Sequence, residues 1–456
     1  MERGIDKNKR FAFSQSVIRS RIVNKYFKLQ FLNVIKTLPI LLGLGAYFLP
    51  SSLLAAKHTP NILLIVSDYM GYSDIGPYGA KDIKTPSLNA LAAQGIRFSN
   101  HYSAAPICIP SRASLMSGLY PLKVLESTNA GREQGLHSVN NNLLSGLKAN
   151  GYNTALIGKW HLGATKNFSP NDHGFDYFFG FNSWTLGYHN HLTSDGYPGL
   201  LRNGKPATEK GYLTDLFTDE AIQFIDKSGD DPFFLYLSYN VGLPPYQGPN
   251  LAESKWDAGW DPNNASRADY VAMVERMDQG IGKILNKLSD EKLEKDTLVI
   301  FTYDHGGRHL VDSGPLFHGF ATLWEGGIRV PLIIRWPDKV QENRVFSTPT
   351  IAMDLTATML DAAQSNSAIT SLDGTSLFQI MNNPDKFDKR HLFWRYGKMK
   401  AVRRNNWKYV IDGHSQLLFN LDADIGERKN VFHRYPKKVN DLRQKLTDWE
   451  KLLDKH

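Results

Sequence analysis

Five stretches of this chain are apolar without alternation, and they restrict it to a fold whose sheet is covered on both faces. They are Asn61–Asp68 (NILLIVSD), Asn153–Gly158, Pro232–Tyr239 (PFFLYLSY), Thr297–Asp304 (TLVIFTYD) and Val330–Trp336 (VPLIIRW). A strand with one wet face alternates polar and apolar residues; these runs do not, as expected of strands buried on both sides in a parallel sheet. Helical segments lie between them. Pro86–Gly95 has Pro near its start and Gly at its end, the usual punctuation of a helix. Asn142–Gly151, Asp219–Lys227 and residues 348–363 read the same way. Tyr270–Leu288 carries a stripe at Val271, Val274, Met277, Ile281, Ile284 and Leu288, the spacing of one buried helix face. The pattern predicts an α/β fold with a mainly parallel central sheet flanked by helices.

The tail differs. His391–Tyr396, Ala401–Arg404, Trp407–Ile411 and Gln416–Phe419 follow in quick succession, then an amphipathic helix over Val439–Leu453, which predicts a small C-terminal antiparallel sheet subdomain. At 456 residues the chain exceeds what one core of ~250–300 residues holds. The expected division is a leader over 1–57, a catalytic domain over 58–370 and an α+β subdomain over 371–456.

Charge separates the leader from the rest. The formal net charge is +8, yet the excess of Lys and Arg lies in residues 1–57, where only Glu2 and Asp6 oppose them. The body is electroneutral, which disfavours a globally basic nucleic-acid binder. Residues 38–56, LPILLGLGAYFLPSSLLAA, form an apolar run behind a basic stretch and end in small residues. This order reads as a secretory signal or an uncleaved membrane anchor, so the chain is expected to be exported, periplasmic or secreted. The single cysteine, Cys108, excludes an intramolecular disulfide and a cysteine-based zinc knuckle.

In open α/β sheets ligands bind at the carboxyl ends of strands. Polar residues just past those ends are Asp68, Lys159 with His161 (GKWHLG), Asn240, and Asp304 with His305 (YDHGG). Carboxylates on two strands beside an imidazole suggest a cation site, although any one such Asp is as readily a turn former. Cys108 opens Cys108-Ile109-Pro110-Ser111-Arg112 ahead of a helix expected over Ala113–Gly118. A helix N-terminus attracts anions, and Arg112 adds donors suited to oxyanions. A reactive group beside an anion cradle and a cation site suggests phosphoryl or sulfuryl transfer.

The Cys-x-Pro-Ser-Arg pentapeptide resembles the modification motif of the formylglycine-dependent (type I) sulfatases, of the alkaline phosphatase-like superfamily. PNILLIVSDYMGYSDIG, GYNTALIGKWHLG, HGFDYFFGF, EGGIRVPLIIRWP and the tail segments LFWRYGKMKAVRRNNWKYV and LFNLDADIGERKNV follow in that family's order. The resemblance implies sulfuric ester hydrolysis of an alcohol or sugar sulfate, assisted by Ca²⁺. Its nucleophile would be the hydrate of 3-oxoalanine (formylglycine), made from Cys108 by a formylglycine-generating enzyme. It also implies metal ligands at Asp68, Cys108, Asp304 and His305, hydrate stabilisation by Arg112, and contacts to sulfate and hydrate from Lys159 and His161.

Three positions depart from the family pattern: Tyr69 replaces a second metal-binding Asp, Leu243 the His associated with leaving-group protonation, and Phe320 a sulfate-binding Lys. Arg308, His309 or His318 could take the missing roles, and Arg308 and His318 are expected substrate contacts. The alternatives are a catalytically impaired relative that binds sulfated glycans, or a phosphoester hydrolase on the same scaffold. Tyr188, His189, His191 and Asp195 are candidates for the cleft, and Trp184, Trp256, Trp260 and Trp324 for stacking on sugar.

Overall fold

A computed structural model of the chain describes residues 59–125, 135–137, 142–163, 165, 167–365 and 372–453. The leader, with its apolar run over 38–56, lies outside the described residues, as does the 366–371 stretch where the second domain boundary is expected. Among the described residues no helix is long and apolar enough to cross a membrane.

The strands are β1 (Asn61–Ser67), β2 (Ile96–Phe98), β3 (His101–Tyr102), β4 (Asn153–Lys159), β5 (Tyr177–Phe181), β6 (Leu201–Arg202), β7 (Lys205–Pro206), β8 (Phe233–Ser238), β9 (Thr297–Tyr303), β10 (Leu332–Arg335), β11 (Arg344–Phe346), β12 (Thr350–Ile351), β13 (His391–Tyr396), β14 (Met399–Arg404), β15 (Trp407–Asp412) and β16 (Ser415–Asn420). Ten of them form one sheet in the order β11-β2-β10-β9-β1-β8-β4-β5-β6-β7. Its centre, β9-β1-β8-β4-β5, is parallel throughout. The Val330–Trp336 run forms β10 antiparallel to β9 and β2, so the sheet is mixed at that edge.

Both faces are covered, as the unbroken apolar runs require. Leu63 and Ile65 of β1 pack with Leu88 and Leu91 of the Pro86–Ala93 helix, Phe217 of Leu213–Ser228 and Met277 of Arg267–Asp290. Ile62, Leu64 and Val66 face the other way, against Ala113 of Cys108–Ser117, Leu143 of Asn142–Lys148 and Leu355 of Ala352–Ala362. The 24-residue helix starts at a capping box in which Ser266 and Asp269 satisfy each other's backbone N–H, a pairing that fixes its first turn.

Register positions the chemistry. Val66 pairs with Ser238 and Ser238 with Gly158, while Ser67 pairs with Tyr303. Lys159 therefore closes β4 level with Ser67 and Tyr303, and Asp68 and Asp304 leave the sheet one residue further on.

β13 to β16 form an antiparallel meander. Leu442 and Leu446 of the Pro436–Leu453 helix share its core with Val402, Tyr409, Tyr102 and Trp324, which ties it to the main body. At that junction Lys408 Nζ lies 2.8 Å from Glu325 Oε1 and 2.9 Å from Glu427 Oε1, all three side chains buried. Burial pushes the Glu427 carboxyl up to about 7; the Lys408 charge pulls it down and Glu325 adds to the rise. For Glu325 burial is outweighed by Lys408, Arg329 and Arg403, and its carboxyl falls to about 2. The folded chain thus holds a proton on Glu427 that the unfolded chain has lost. Stability is expected to decline as pH rises from the ordinary value of 4.5 towards about 7, because the folded state binds more protons there. Glu325 acts below that window, losing its contribution as pH falls towards 2. Glu427→Gln should flatten the upper limb of a Tm-against-pH profile measured by calorimetry; an unchanged profile would mean the carboxyl is ionised throughout.

Candidate active site

The helix carrying the pentapeptide begins at Cys108 itself rather than at Ala113, and runs to Ser117. Every residue of it is buried, so no amphipathic stripe marks it in the sequence. Pro110 sits in the first turn, where a missing N–H forfeits no intrahelical bond. The start matters: it puts Cys108 Sγ at the N-terminus of a helix aimed at the level of Asp68, Lys159 and Asp304.

These residues meet. Lys159 Nζ is 3.3 Å and His305 Nε2 is 3.1 Å from Cys108 Sγ, and Asp68 Oδ1 lies 4.0 Å away. Asp68 Oδ2 accepts from Lys159 Nζ at 2.6 Å and from Arg112 at 2.7 Å. Arg112 also donates from Nε to Asp304 Oδ2 at 3.0 Å, and from Nη1 to the Lys159 carbonyl at 3.1 Å and to Ser238 Oγ at 2.7 Å. One guanidinium, 1% exposed, thereby ties the ends of β1, β4, β8 and β9 together. Tyr236 and Ser238 on β8, which hold Arg112, escape sequence reasoning because they lie inside an unbroken apolar run.

Charge is nearly balanced within the cluster. Burial would raise the Asp68 carboxyl, but Lys159, Arg112 and His305 outweigh it and hold it below the ordinary range. Asp304 is raised by burial and by Asp68. Burial would lower His305; Asp304, Cys108 and Asp68 together hold it up at about 9.

Two unpartnered groups mark the same region. Asp304 Oδ1 has no hydrogen-bond partner, and neither does any side-chain polar atom of the fully buried Asn240 at the end of β8. Buried polar atoms are seldom left so without a ligand or water. Gly242 lets this loop close on the site: with φ of +107°, it approaches so near that a Cβ would lie 2.1 Å from the Asp68 carbonyl oxygen.

Beside Cys108 a cavity of about 270 Å³ is lined by Ile109, His161, Asn182, Trp184, Asp195 and Tyr197, among others. His161 Nδ1 and Asn182 Oδ1 are buried in it without a partner. Burial, with Lys159 and Arg112 nearby, holds His161 well below its usual pKa, so the ring is neutral. Asn182 follows the end of β5, where the strand-end rule would have found it had Tyr177–Phe181 been read as a strand.

The other candidates divide. The Trp184 ring packs at 6.3 Å from that of Trp260 at this cavity. Trp256 stacks on His189 at 4.7 Å. Trp324 is a bridge to the C-terminal sheet, bonding Asp412 and packing on Phe419. Tyr188 is buried, with its hydroxyl on the Asn240 carbonyl; His189 and His191 bond the carbonyls of Gly248 and Gly211. Of that group only Asp195 lines the cavity. Arg308 and His318 are exposed and line a second cavity of about 460 Å³ with Phe320; His309 is exposed and is not among its lining residues.

Two of the three departures touch. The rings of Tyr69 and Phe320 are 4.9 Å apart, and that of Phe320 lies 5.2 Å from His305. Tyr69 sits at φ of +56°, unusual for a bulky residue and concentrated at functional sites. Burial pushes its hydroxyl up to about 12, against the pull of Arg308 and with Cys108 and Asp68 adding to the rise.

Asp68, Cys108, Asp304 and His305 each offer a ligand atom, all within 4.8 Å of one another. With the thiol in place the set does not fit Ca²⁺, which takes six to eight oxygens. Arg112 and Lys159 occupy one oxygen of each carboxylate or the other, leaving two carboxylate oxygens, a nitrogen and a sulfur.

Comparison with known proteins agrees with this geometry. The sulfatase family model matches residues 60–365, and one described as the C-terminal region of N-sulphoglucosamine sulphohydrolase matches 317–453. The chain is 31% identical to N-acetylgalactosamine-6-sulfatase of Canis lupus familiaris, covering 85% of this chain and 83% of that one. It is 29% identical to steryl-sulfatase of Mus musculus, with 86% and 82% covered. The crystal structure of Ps i-CgsB in complex with k-i-k-neocarrahexaose is 32% identical, with a TM-score of 0.77 over 86% of this chain and 92% of that chain. The chain belongs to the sulfatase family, the enzymes that hydrolyse sulfate esters.

Proposed function

We propose that this chain removes sulfate from a sugar sulfate, using a formylglycine made from Cys108 by a formylglycine-generating enzyme. The observation that carries the reading is the convergence of Lys159, His305 and Asp68 on Cys108 Sγ at a buried helix N-terminus, beside a cavity open to a ligand. When present, the aldehyde hydrate supplies the oxygen that attacks sulfur and then expels sulfate as the aldehyde re-forms.

The remaining work falls to the chain's own side chains. Lys159 holds a positive charge 3.3 Å from the Cys108 position, where it stabilises charge on the sulfate oxygens. Neutral His161, with Nδ1 free in the cavity, is able to take a proton or hold a sulfate oxygen. Arg112 donates to both carboxylates and acts as a positioning residue. The exposed Arg308 guanidinium is the available cation on the side where Phe320 stands. Calcium, implied by the resemblance, suits the thiol form poorly; in the converted form oxygen would replace the sulfur, and Asp68, Asp304 and His305 would hold the ion beside it.

Trp184 in the cavity lining offers a sugar ring an aromatic face, and a relative acts on a sulfated sugar by name. Export as a periplasmic or secreted protein, and the division at residues 57 and 370, belong to the same reading. The test is the mass of the Cys108 peptide from the native host together with turnover of aryl sulfate and aryl phosphate. Conversion with sulfate-selective turnover is expected. Phosphate-only turnover would favour the phosphoester alternative, and sulfate-ester turnover unchanged in Cys108→Ala would exclude formylglycine chemistry.

A further inference from the structure

The misfit to calcium points to a different cation. We propose that, before any conversion of Cys108, Asp68, Cys108, Asp304 and His305 form a site for a zinc-class divalent ion. The inference goes beyond the hydrolytic reading, because it concerns the thiol form of the chain.

The donor set carries it. One sulfur, one imidazole nitrogen and two carboxylate oxygens match the ligands and the count of a tetrahedral zinc site, and sulfur with imidazole selects borderline or soft ions over hard ones. Spacing agrees. Ligands about 2.0–2.3 Å from a tetrahedral zinc lie roughly 3.3–3.8 Å from one another. Here His305 Nε2 is 3.1 Å from Cys108 Sγ, 3.6 Å from Asp304 Oδ1 and 3.9 Å from Asp68 Oδ1, and Asp68 Oδ1 is 4.0 Å from the sulfur. The remaining pairs, Asp304 Oδ1 with Cys108 Sγ and with Asp68, lie within 4.8 Å, so side-chain shifts of up to about 1 Å close the set around one ion.

The surroundings orient each donor. His305 Nδ1 lies 3.0 Å from the Gly306 carbonyl oxygen; donating there, the outer bond that metal-binding histidines commonly make, it leaves Nε2 facing the sulfur, and the Nε2 and thiol protons go to solvent as the ion binds. Arg112 engages Oδ2 of both Asp68 and Asp304, which turns each Oδ1 inward. Asp304 Oδ1 is left without a hydrogen-bond partner although its residue is 4% exposed. That orphaned acceptor is an observation independent of the cysteine and itself points to a missing cation. Lys159 Nζ, at 3.3 Å from the sulfur, gives up this contact when the ion binds and keeps its bond to Asp68 Oδ2.

Because conversion of Cys108 removes the sulfur donor, zinc occupancy and conversion exclude each other in one molecule. The site would also shield an exported thiol from oxidation until it is needed or removed.

The test uses the full chain with Cys108 shown by mass to be an unmodified thiol, titrated with Zn²⁺, Ca²⁺ and Co²⁺. Expected are zinc binding at least ~100-fold tighter than calcium, and a cobalt complex with tetrahedral visible bands and a sulfur-to-cobalt charge-transfer band. Cys108→Ser should lose that band and at least ~10-fold in zinc affinity, with its far-UV circular dichroism unchanged. His305→Asn should narrow the gap between zinc and calcium. Calcium binding as tight as zinc, a cobalt spectrum without the sulfur band, or wild-type zinc affinity in folded Cys108→Ser would each overturn the proposal. None of these readouts needs turnover, so failure of the hydrolytic reading, seen as absence of sulfate-ester cleavage by converted enzyme, is a separate result.

Discussion

Arg112→Met is expected to lower folding stability by about 3–5 kcal/mol, the usual consequence of removing one partner from a buried ion pair. The side chain is 1% exposed and donates to Asp68 Oδ2, Asp304 Oδ2, Ser238 Oγ and the Lys159 carbonyl. Methionine fills much of the volume but leaves Asp304 beside Asp68 without its guanidinium partner, with His305 and Lys159 the cations that remain. Burial and Asp68 already raise the Asp304 carboxyl, so in the variant it should take up a proton and the coupled arrangement of the strand ends should relax. Arg112→Lys restores a charge at one point but cannot span two carboxylates and a hydroxyl at once; an intermediate loss is expected. Urea unfolding of the two variants beside the wild type gives the comparison. A loss below about 1 kcal/mol for Arg112→Met would mean that the carboxylates are compensated by other groups, Lys159 first among them.

Much of this arrangement was legible in the sequence, for a physical reason. Asp68, Lys159 and Asp304 follow unbroken apolar runs, and strands buried on both faces have few ways to pair, so polar residues just past their ends fall at one edge of the sheet. The large sheet's parallel centre and the C-terminal meander follow from the same patterning. Legibility failed where burial removes periodicity. The Cys108–Ser117 helix is buried all round, and only its C-terminal half reads as helix. The strand Tyr177–Phe181 is hidden in a phenylalanine-rich segment, and with it Asn182 of the cavity. Trp324, a candidate for sugar stacking, instead bonds Asp412 across the subdomain junction; nothing in a lone tryptophan's sequence context separates those roles. The contact between Tyr69 and Phe320, about 250 residues apart, exists only because β1 and β9 are neighbours.

That contact makes restoration of the family residues the most demanding test of the site. Tyr69→Asp alone adds a carboxylate but leaves the Phe320 ring facing a charge; Phe320→Lys alone sets an ammonium against the Tyr69 ring. The pair should couple beyond the sum of its parts, as neighbours in contact do. In Tyr69→Asp/Phe320→Lys the new ammonium can reach both the carboxylate and a bound sulfate. A gain of about 10²–10³-fold in kcat for an aryl sulfate is expected, the scale of one preorganised electrostatic group. Adding Leu243→His supplies a candidate general acid, worth ~10²–10⁴-fold where the leaving group needs a proton, and the gains need not multiply. The last gain should be larger for a sugar sulfate than for a nitrophenyl sulfate, whose leaving group departs unaided. The opposite result is equally informative. If the double variant gains nothing while Arg308→Ala loses at least ~10-fold, then Arg308 already supplies the cation that Phe320 displaced. The aromatic contact would then be a working part of the site, holding His305 where Phe320 now packs against it.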